Sequence, residues 1–240
     1  MHTTAAVALP DGGQLHGALA LPSGDPPSGG WPGVIVLHEV FGLRPEIVDV
    51  AERFAARGYA AFAPDLFSAG RRVACLARAM VESSRGGSGK TTAAIEASRA
   101  WLADRPDVDQ SRLAVIGFCM GGGFALTYAA SSPAGVRAAS VNYGDVPRKA
   151  DVLEGVCPVV GSYGARDRIL GPQGQRLEEY LRGLGIAHDV KTYPQAGHSF
   201  MTHGSHPIGR LIFLPMRLGY VHDAAEDAWD RVFAFFQEHV

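Results

Sequence analysis

The chain has 240 residues, of which 47 % are apolar and 19 % are charged, and its formal net charge at pH 7 is −2. This length favours one domain, residues 1–240, with a substantial buried core. The nearly balanced charge gives no electrostatic reason to bind nucleic acid or a membrane surface, so we expect neither as a partner.

Cysteine usage and the amino-terminal segment predict a cytoplasmic protein. The three cysteines, Cys75, Cys119 and Cys157, are odd in number and far apart in sequence, which argues against a disulfide framework and favours a reducing compartment. The opening MHTTAAVALPDGG has no basic start followed by a long apolar run. We therefore expect no signal peptide. No stretch of about 18 apolar residues predicts a membrane span.

In chain order, a predicted hairpin is followed by alternating strands and helices. The hairpin joins 3–9 to 14–21 around PDGG. Apolar runs predict strands at 34–38, 59–64, 112–118, 138–143, 158–164 and 187–193. Helical patterns cover 45–57, 71–84, 91–104, 120–130, 173–184 and 222–240. This alternation predicts an α/β fold with a mostly parallel sheet and helices on both faces.

The segment IGFCMGGG places a cysteine where a strand turns into a helix. Gly117 and Gly121 stand two residues before and after Cys119, which is the G-x-S-x-G spacing of a nucleophile elbow with sulfur replacing oxygen. A helix N-terminus favours a thiolate at this position. In the same geometry the N–H of Met120 is placed to donate to an oxyanion. We therefore predict that Cys119 is a nucleophile.

Two further polar residues follow later strands in the order that such a sheet requires. Asp167 lies just past the predicted strand at 158–164, and His198 just past the strand at 187–193. In this fold the chain order is nucleophile, acid, base. The carboxyl ends of parallel strands share one edge of the sheet, so we predict a triad of Cys119, Asp167 and His198.

The segment LHEVFG follows the strand expected beside the elbow. Its position matches the loop that supplies the second oxyanion donor, which we assign to the N–H of Val40. Glu39 is placed beside the thiol, although a solvated loop carboxylate is an alternative interpretation.

Together, the segments HEVFG, PDLF, GFCMGG, YGARD and AGHSFM resemble the dienelactone hydrolase family. The similarity extends over nearly the whole chain, including EDAWDRVFAFF near its end. It implies the α/β-hydrolase fold and a cysteine hydrolase of esters or lactones, with Cys119 as nucleophile, His198 as base and Asp167 as its orienting group. It also implies that Glu39 pairs with the resting thiol and swings away when substrate binds. We expect no cofactor and no metal.

The resemblance is incomplete at the site that would bind a substrate carboxylate. Family members that open dienelactone hold this group with two arginines. One of these positions is Thr202 here, and the other falls among Arg71, Arg72 and Arg78. We therefore expect a less acidic ester or lactone as substrate. Candidate substrate-binding residues are Phe41, Arg72, Tyr143 and Ser199.

Other interpretations remain open on the sequence. The protein is alternatively a general carboxylesterase, or a non-catalytic relative in which Cys119 senses oxidants or the pocket binds a ligand. The apolar LIFLPM within 203–220 is either a lid over the pocket or a surface packed against this chain or a second copy. We expect a monomer or a small homo-oligomer.

Two motifs resemble sites of other protein classes. SSRGGSGKTT at 83–92 is similar to a phosphate-binding loop, but Ser84 stands where the pattern needs glycine, and a helical pattern precedes it. His38 and Glu39 begin a zinc-binding pattern, but Gly42 replaces its second histidine. We expect neither nucleotide nor zinc at these positions.

Overall fold

A computed structural model of the chain describes residues 1–84, 89–204 and 214–240. Eight strands form one sheet in the order β1-β2-β4-β3-β5-β6-β7-β8. The strands are β1 (His2–Ala8), β2 (Gln14–Ala20), β3 (Trp31–Leu37), β4 (Ala60–Pro64), β5 (Val108–Phe118), β6 (Val136–Asn142), β7 (Val159–Gly164) and β8 (His188–Tyr193). The β1–β2 and β2–β4 pairs are antiparallel and all others are parallel. The predicted hairpin and mostly parallel sheet are confirmed.

Helices cover both faces of this sheet because alternate residues of each strand point to opposite sides. The helices are α1 (Pro45–Ala55), α2 (Arg72–Ser84), α3 (Lys90–Ala103), α4 (Met120–Ala130), α5 (Gln173–Gly183) and α6 (His222–His239). In β3, Val34 and Val36 pack on the side of α1 and α6, whereas Ile35 and Leu37 pack on the side of α2 to α5. The chain has the predicted α/β-hydrolase fold.

Two strands begin three or more residues before their predicted starts. β3 begins at Trp31 rather than Val34, and β5 begins at Val108 rather than Arg112. Trp31 pairs with Val108, and the register then shifts before Gly33 pairs with Leu113. The early pairing was missed because proline and glycine near the start of β3 are typical of a turn.

The last helix supports the part of the chain that carries His198. Trp229 of α6 is buried, and its indole N–H donates to the carbonyl oxygen of Met201 at 3.3 Å. The same ring packs against Phe54 of α1 and Phe118 of β5, with ring centroids 6.0 Å apart in each pair. Aromatic packing and one hydrogen bond thus tie the segment after His198 to the sheet.

The glycine-rich segment before α3 is only partly described, since residues 85–88 of the 83–92 motif lie outside the described residues. Glu82 accepts hydrogen bonds from the backbone N–H groups of Lys90 and Thr91, at 2.9 and 2.8 Å. A carboxylate of the chain itself therefore binds the helix terminus where a phosphate would be held. This contact disfavours a nucleotide site. No helix among residues 1–84, 89–204 and 214–240 is both long and apolar enough to span a membrane.

Candidate active site

The turn between β5 and α4 holds Cys119 in a strained backbone conformation. Its φ of 55° and ψ of −119° fall in a region that residues with side chains rarely adopt. Such strain costs of the order of 1–3 kcal/mol and persists only where neighbouring structure fixes it. Here the N–H of Cys119 donates to the carbonyl of Asn142 at 3.0 Å, and the Asn142 side chain donates to the carbonyl of Gly117 at 3.1 Å.

The glycines beside the elbow are required by close backbone contacts. A Cβ at Gly117 would lie 2.0 Å from the carbonyl oxygen of Gly121. A Cβ at Gly121 would lie 2.4 Å from the carbonyl oxygen of Leu37, at the end of β3. Helix α4 can therefore begin directly against the strand ends only when both positions lack a side chain.

The structure brings Asp167 and His198 into direct contact. Their Oδ2 and Nδ1 atoms are 2.7 Å apart, and both side chains are buried. The second carboxylate oxygen of Asp167 accepts the backbone N–H groups of Ile169 and Leu170, at 2.9 and 3.0 Å. Since these bonds fix the carboxylate, it can hold the imidazole in one orientation with the proton on Nδ1.

The other ring nitrogen of His198 is available to the thiol. His198 Nε2 is buried and has no hydrogen-bond partner among the described residues. Burial disfavours the charged imidazolium, but the electrostatic interaction with Cys119 and the hydrogen bond with Asp167 outweigh this effect and raise the pKa of His198 to about 10. The arrangement therefore suits transfer of the thiol proton to His198.

The two predicted oxyanion donors, the N–H groups of Val40 and Met120, belong to residues that line the same cavity as Cys119. Neither N–H donates to another group in the described part of the chain. Met120 is the first residue of α4, where such groups are normally free. The pair is suited to bind an oxygen that gains negative charge during the reaction.

Glu39 is buried next to this pair and is bound by Ser199. The Ser199 hydroxyl donates to Glu39 Oε1 at 2.8 Å. Burial raises the pKa of the Glu39 carboxyl, although the charge of His198 and the Ser199 bond partly oppose it. No hydrogen bond between Glu39 and Cys119 is found among the described residues. In this state the carboxyl group therefore pairs with serine rather than with the thiol.

The cavity has a volume of about 610 Å³ and a mainly apolar lining. Apolar side chains of α2 and of two segments, near 170 and near 217, form the apolar wall of the cavity. These wall residues are Leu76, Met80, Ile169, Leu170, Met216 and Leu218. The ionisable residues of the lining are Glu39, Cys119, Asp145 and His198, and no lysine or arginine is among the described lining residues. Electrostatically, the cavity favours neutral ligands over anions.

The four predicted substrate-binding residues occupy different places. Phe41 and Ser199 line the cavity, whereas Tyr143 and Arg72 do not. The Tyr143 ring lies behind His198, with centroids 4.9 Å apart, and burial together with the Glu39 charge raises the pKa of its hydroxyl well above the usual range. Arg72 is 59 % exposed and donates to the carbonyl of Phe41 at 3.2 Å.

The remaining arginine positions also lie outside the cavity. Arg78 donates to the Cys75 sulfur at 3.1 Å, and Arg71 is exposed. Thr202 is buried. None of these three residues lines the cavity. The described structure thus provides no arginine clamp for a substrate carboxylate.

The segment with the hypothesised lid is anchored to the catalytic loops. The N–H of His198 donates to the carbonyl of Met216 at 2.8 Å, and the N–H of Gly219 donates to the carbonyl of His198 at 3.1 Å. Residues 205–213, which include part of LIFLPM and His206, lie outside the described residues. His203 stacks on Tyr220, with centroids 3.8 Å apart. Among described residues, no group of three potential metal ligands is present.

The apolar wall is the part of the site that sequence reasoning missed. Leu76 and Met80 are four residues apart, so they share one face of α2, and this spacing was a usable signal. Nothing in the sequence indicated that Ile169 and Leu170, directly after Asp167, would face the same cavity.

Comparison with known proteins identifies the relatives of this chain. The model of the dienelactone hydrolase family matches residues 15–240. The chain belongs to the dienelactone hydrolase family. A Yersinia pestis protein provisionally named a carboxymethylenebutenolidase is 29 % identical over 95 % of this chain and 85 % of its own length. The carboxymethylenebutenolidase of Rhodococcus opacus is 28 % identical over 94 % of this chain and 86 % of its own length.

A solved structure supports the same assignment. A dienelactone hydrolase-like promiscuous phosphotriesterase from metagenomic libraries superimposes with a TM-score of 0.80 at 27 % identity. The superposition covers 99 % of this chain and 98 % of the other. Family membership and fold together make this protein a hydrolase, as the sequence predicts.

Proposed function

We propose that the protein hydrolyses neutral esters or lactones through a thioester on Cys119. The observation that carries this proposal is the buried Asp167–His198 pair, whose free Nε2 lies beside a thiol on a nucleophile elbow. The family assignment supports ester or lactone chemistry, and the pair supports a cysteine mechanism.

Each step uses groups of this chain. His198 Nε2 takes the thiol proton, and the thiolate forms a bond to the carbonyl carbon while the carbonyl oxygen gains negative charge. The N–H groups of Met120 and Val40 stabilise that oxygen. Collapse of the adduct breaks the ester C–O bond, and His198 returns the proton to the departing alkoxide. Water, deprotonated by His198, then attacks the thioester, and the thiolate leaves.

The cavity lining supports a neutral substrate. A substrate carboxylate would face Glu39 and Asp145, with no lysine or arginine among the described lining residues. Hydrogen bonds from arginine to a carboxylate are worth about 1.5–3 kcal/mol each, and Thr202 cannot replace them. The apolar wall offers contact area for an acyl or aryl group instead.

The setting of this activity is also a proposal. We propose a cytoplasmic enzyme, since the cysteines are free and no disulfide is formed among the described residues. We also propose that residues 1–240 form one domain, that the enzyme acts as a monomer or small homo-oligomer, and that it uses no nucleic-acid partner and no cofactor. The continuous sheet supports a single domain, and the balanced charge supports the lack of a nucleic-acid partner.

The test compares two substrates that differ by one charged group. Purified enzyme is given p-nitrophenyl butyrate and mono-p-nitrophenyl succinate, with dienelactone measured in parallel. We expect kcat/KM to be at least about tenfold higher for the butyrate, as about 1.4 kcal/mol of lost recognition would produce. Preference for the succinate or for dienelactone would contradict a neutral substrate. A folded but inert protein would favour the alternative of a thiol sensor.

A further inference from the structure

His38 is a fully buried histidine that uses both ring nitrogens. It follows β3 directly and is 0 % exposed. Its Nε2 accepts the backbone N–H of Leu66 at 3.0 Å, and its Nδ1 lies 2.6 Å from the carbonyl oxygen of Glu39. Because Nε2 accepts, Nδ1 carries the proton and donates. Burial lowers the pKa of His38, which keeps the ring neutral.

The acceptor of the Nδ1–H bond belongs to the peptide that carries the second oxyanion donor. The Glu39 carbonyl and the Val40 N–H are the two ends of one peptide unit, and the described peptides are all trans. In a planar trans peptide these two groups point in opposite directions. Fixing the carbonyl toward His38 therefore aims the Val40 N–H away from His38, on the side where Val40 lines the cavity.

A second donor holds the same carbonyl oxygen. The N–H of Gly42 donates to the Glu39 oxygen at 3.1 Å, which closes a turn over 39–42. That turn closes the loop on itself, and Arg72 of α2 also donates to the carbonyl of Phe41 within it at 3.2 Å. His38 adds a connection to Leu66, just beyond β4, so the loop is tied to the neighbouring strand end. Donation to the carbonyl also polarises the amide and strengthens its N–H as a donor.

We propose that His38 is a positioning residue that orients the Glu39–Val40 peptide, so that the Val40 N–H stabilises the oxyanion during ester hydrolysis. This inference rests on the proposed function. His38 does not itself line the cavity, and its effect passes through the backbone of Glu39 and Val40. Loss of a purely structural histidine would slow ester hydrolysis and alkylation of Cys119 alike, whereas loss of a positioning histidine slows only the reaction that forms an oxyanion.

The test uses two substitutions of His38, each of which places a side-chain amide at the position of one ring nitrogen. In His38→Asn, the side-chain NH₂ is placed near the position of Nδ1 and retains the donor to Glu39. In His38→Gln, the longer side chain reaches the position of Nε2 and loses that donor. Hydrolysis of p-nitrophenyl butyrate is measured beside alkylation of Cys119 by iodoacetamide, a displacement that forms no oxyanion.

We expect His38→Gln to lower kcat about 10²- to 10³-fold with little change in KM, as loss of one oxyanion donor does. His38→Asn should retain kcat within about tenfold of wild type. Alkylation of Cys119 should stay within about twofold in both variants, since this reaction does not use the Val40 N–H. Equal losses in hydrolysis and alkylation, or an unchanged kcat in His38→Gln, would overturn the proposal.

A measurement on the wild-type protein covers the case in which a variant fails to fold. Nitrogen NMR of ¹⁵N-histidine-labelled enzyme at pH 7.5 should show His38 with its proton on Nδ1. A proton on Nε2 would contradict the proposed donor. Undiminished hydrolysis in Cys119→Ala would instead reject the proposed function, while the tautomer of His38 would remain a separate result.

Discussion

The two sides of the cavity are built in different ways. On the reactive side, Cys119 and Ser199 each have a φ of 55°, which is rare for residues with a Cβ, and the backbone N–H of Cys119 and the hydroxyl of Ser199 are both hydrogen-bonded. In the apolar wall, Met80 and Ile169 are 51 % and 53 % exposed and present apolar atoms. Backbone strain and hydrogen bonds hold the reactive groups in place, whereas replaceable apolar side chains determine which substrates fit the cavity.

This difference leads to unequal effects of mutation. A change on the reactive side should alter the rate of every substrate, because the groups proposed for catalysis there would act on the carbonyl carbon, its oxygen or a proton. Changes in the apolar wall should alter the ranking of substrates and leave the chemical steps intact. The variants below test that division.

The largest effect is expected for Asp167→Asn. The amide would still accept the N–H groups of Ile169 and Leu170 through its oxygen, but its NH₂ would face His198 Nδ1 and favour the wrong tautomer. We expect kcat to fall about 10⁴-fold. Steady-state kinetics with p-nitrophenyl butyrate measure this loss, with the exposed Asp230→Asn as control. A loss of kcat below about tenfold would show that Asp167 does not orient His198 during the reaction.

Gly121→Ala tests the contact that supports the elbow. The new Cβ would meet the Leu37 carbonyl at 2.4 Å, so α4 must move away from the end of β3. We expect the free energy of unfolding to fall by about 1–3 kcal/mol or more, with a parallel loss of activity. Urea denaturation compares it with Gly183→Ala, where an added Cβ meets nothing within 4 Å. Equal stability of the two variants would refute the close-contact argument.

Glu39→Gln tests the buried carboxyl group through pH. Because the folded-state pKa of Glu39 is raised above 4.5, its contribution to stability is present below pH 4.5 and is lost as the pH rises through the folded-state pKa. Glutamine does not titrate, and its oxygen still accepts from Ser199. The Tm of the variant should therefore exceed that of wild type by a few degrees at pH 8 and match it near pH 4. Thermal melts that show no such divergence would contradict a raised pKa.

The smallest effect is expected in the apolar wall. Met80→Ala removes apolar surface that lines the cavity, at about 0.8 kcal/mol per methylene. We expect KM for p-nitrophenyl octanoate to rise about two- to fivefold, with p-nitrophenyl acetate unaffected. Val73→Ala, an exposed position of α2 outside the cavity, is the matched control. Equal changes for both esters would show that Met80 does not contact the acyl chain.

The same division explains what the sequence could predict. The nucleophile elbow could be predicted because Gly117, Cys119 and Gly121 have a fixed, short spacing in the sequence. Asp167 and His198 were readable as residues that follow strands. Strand alternation likewise predicted the sheet, apart from the early starts of β3 and β5.

Contacts between distant segments could not be read in this way. Ser199 is 160 positions from Glu39, and only the folded chain brings its hydroxyl to the carboxyl group. In the sequence, His38 stands out only as part of a zinc-like motif. Its role in binding backbone groups could not be predicted, because such contacts leave no spacing pattern in the sequence. The wall of the cavity depends on the packing of α2 beside two other segments, which short-range patterns do not define.

The most direct test of the central claim is to trap the acyl-enzyme. Wild-type enzyme is mixed with p-nitrophenyl butyrate, quenched in acid, digested and analysed by mass spectrometry. We predict a butyryl group on the peptide that contains Cys119. We expect none on Cys157, because burial raises the pKa of that thiol to about 12. Continued hydrolysis by Cys119→Ala, with no adduct on Cys119 in the wild type, would contradict a cysteine nucleophile.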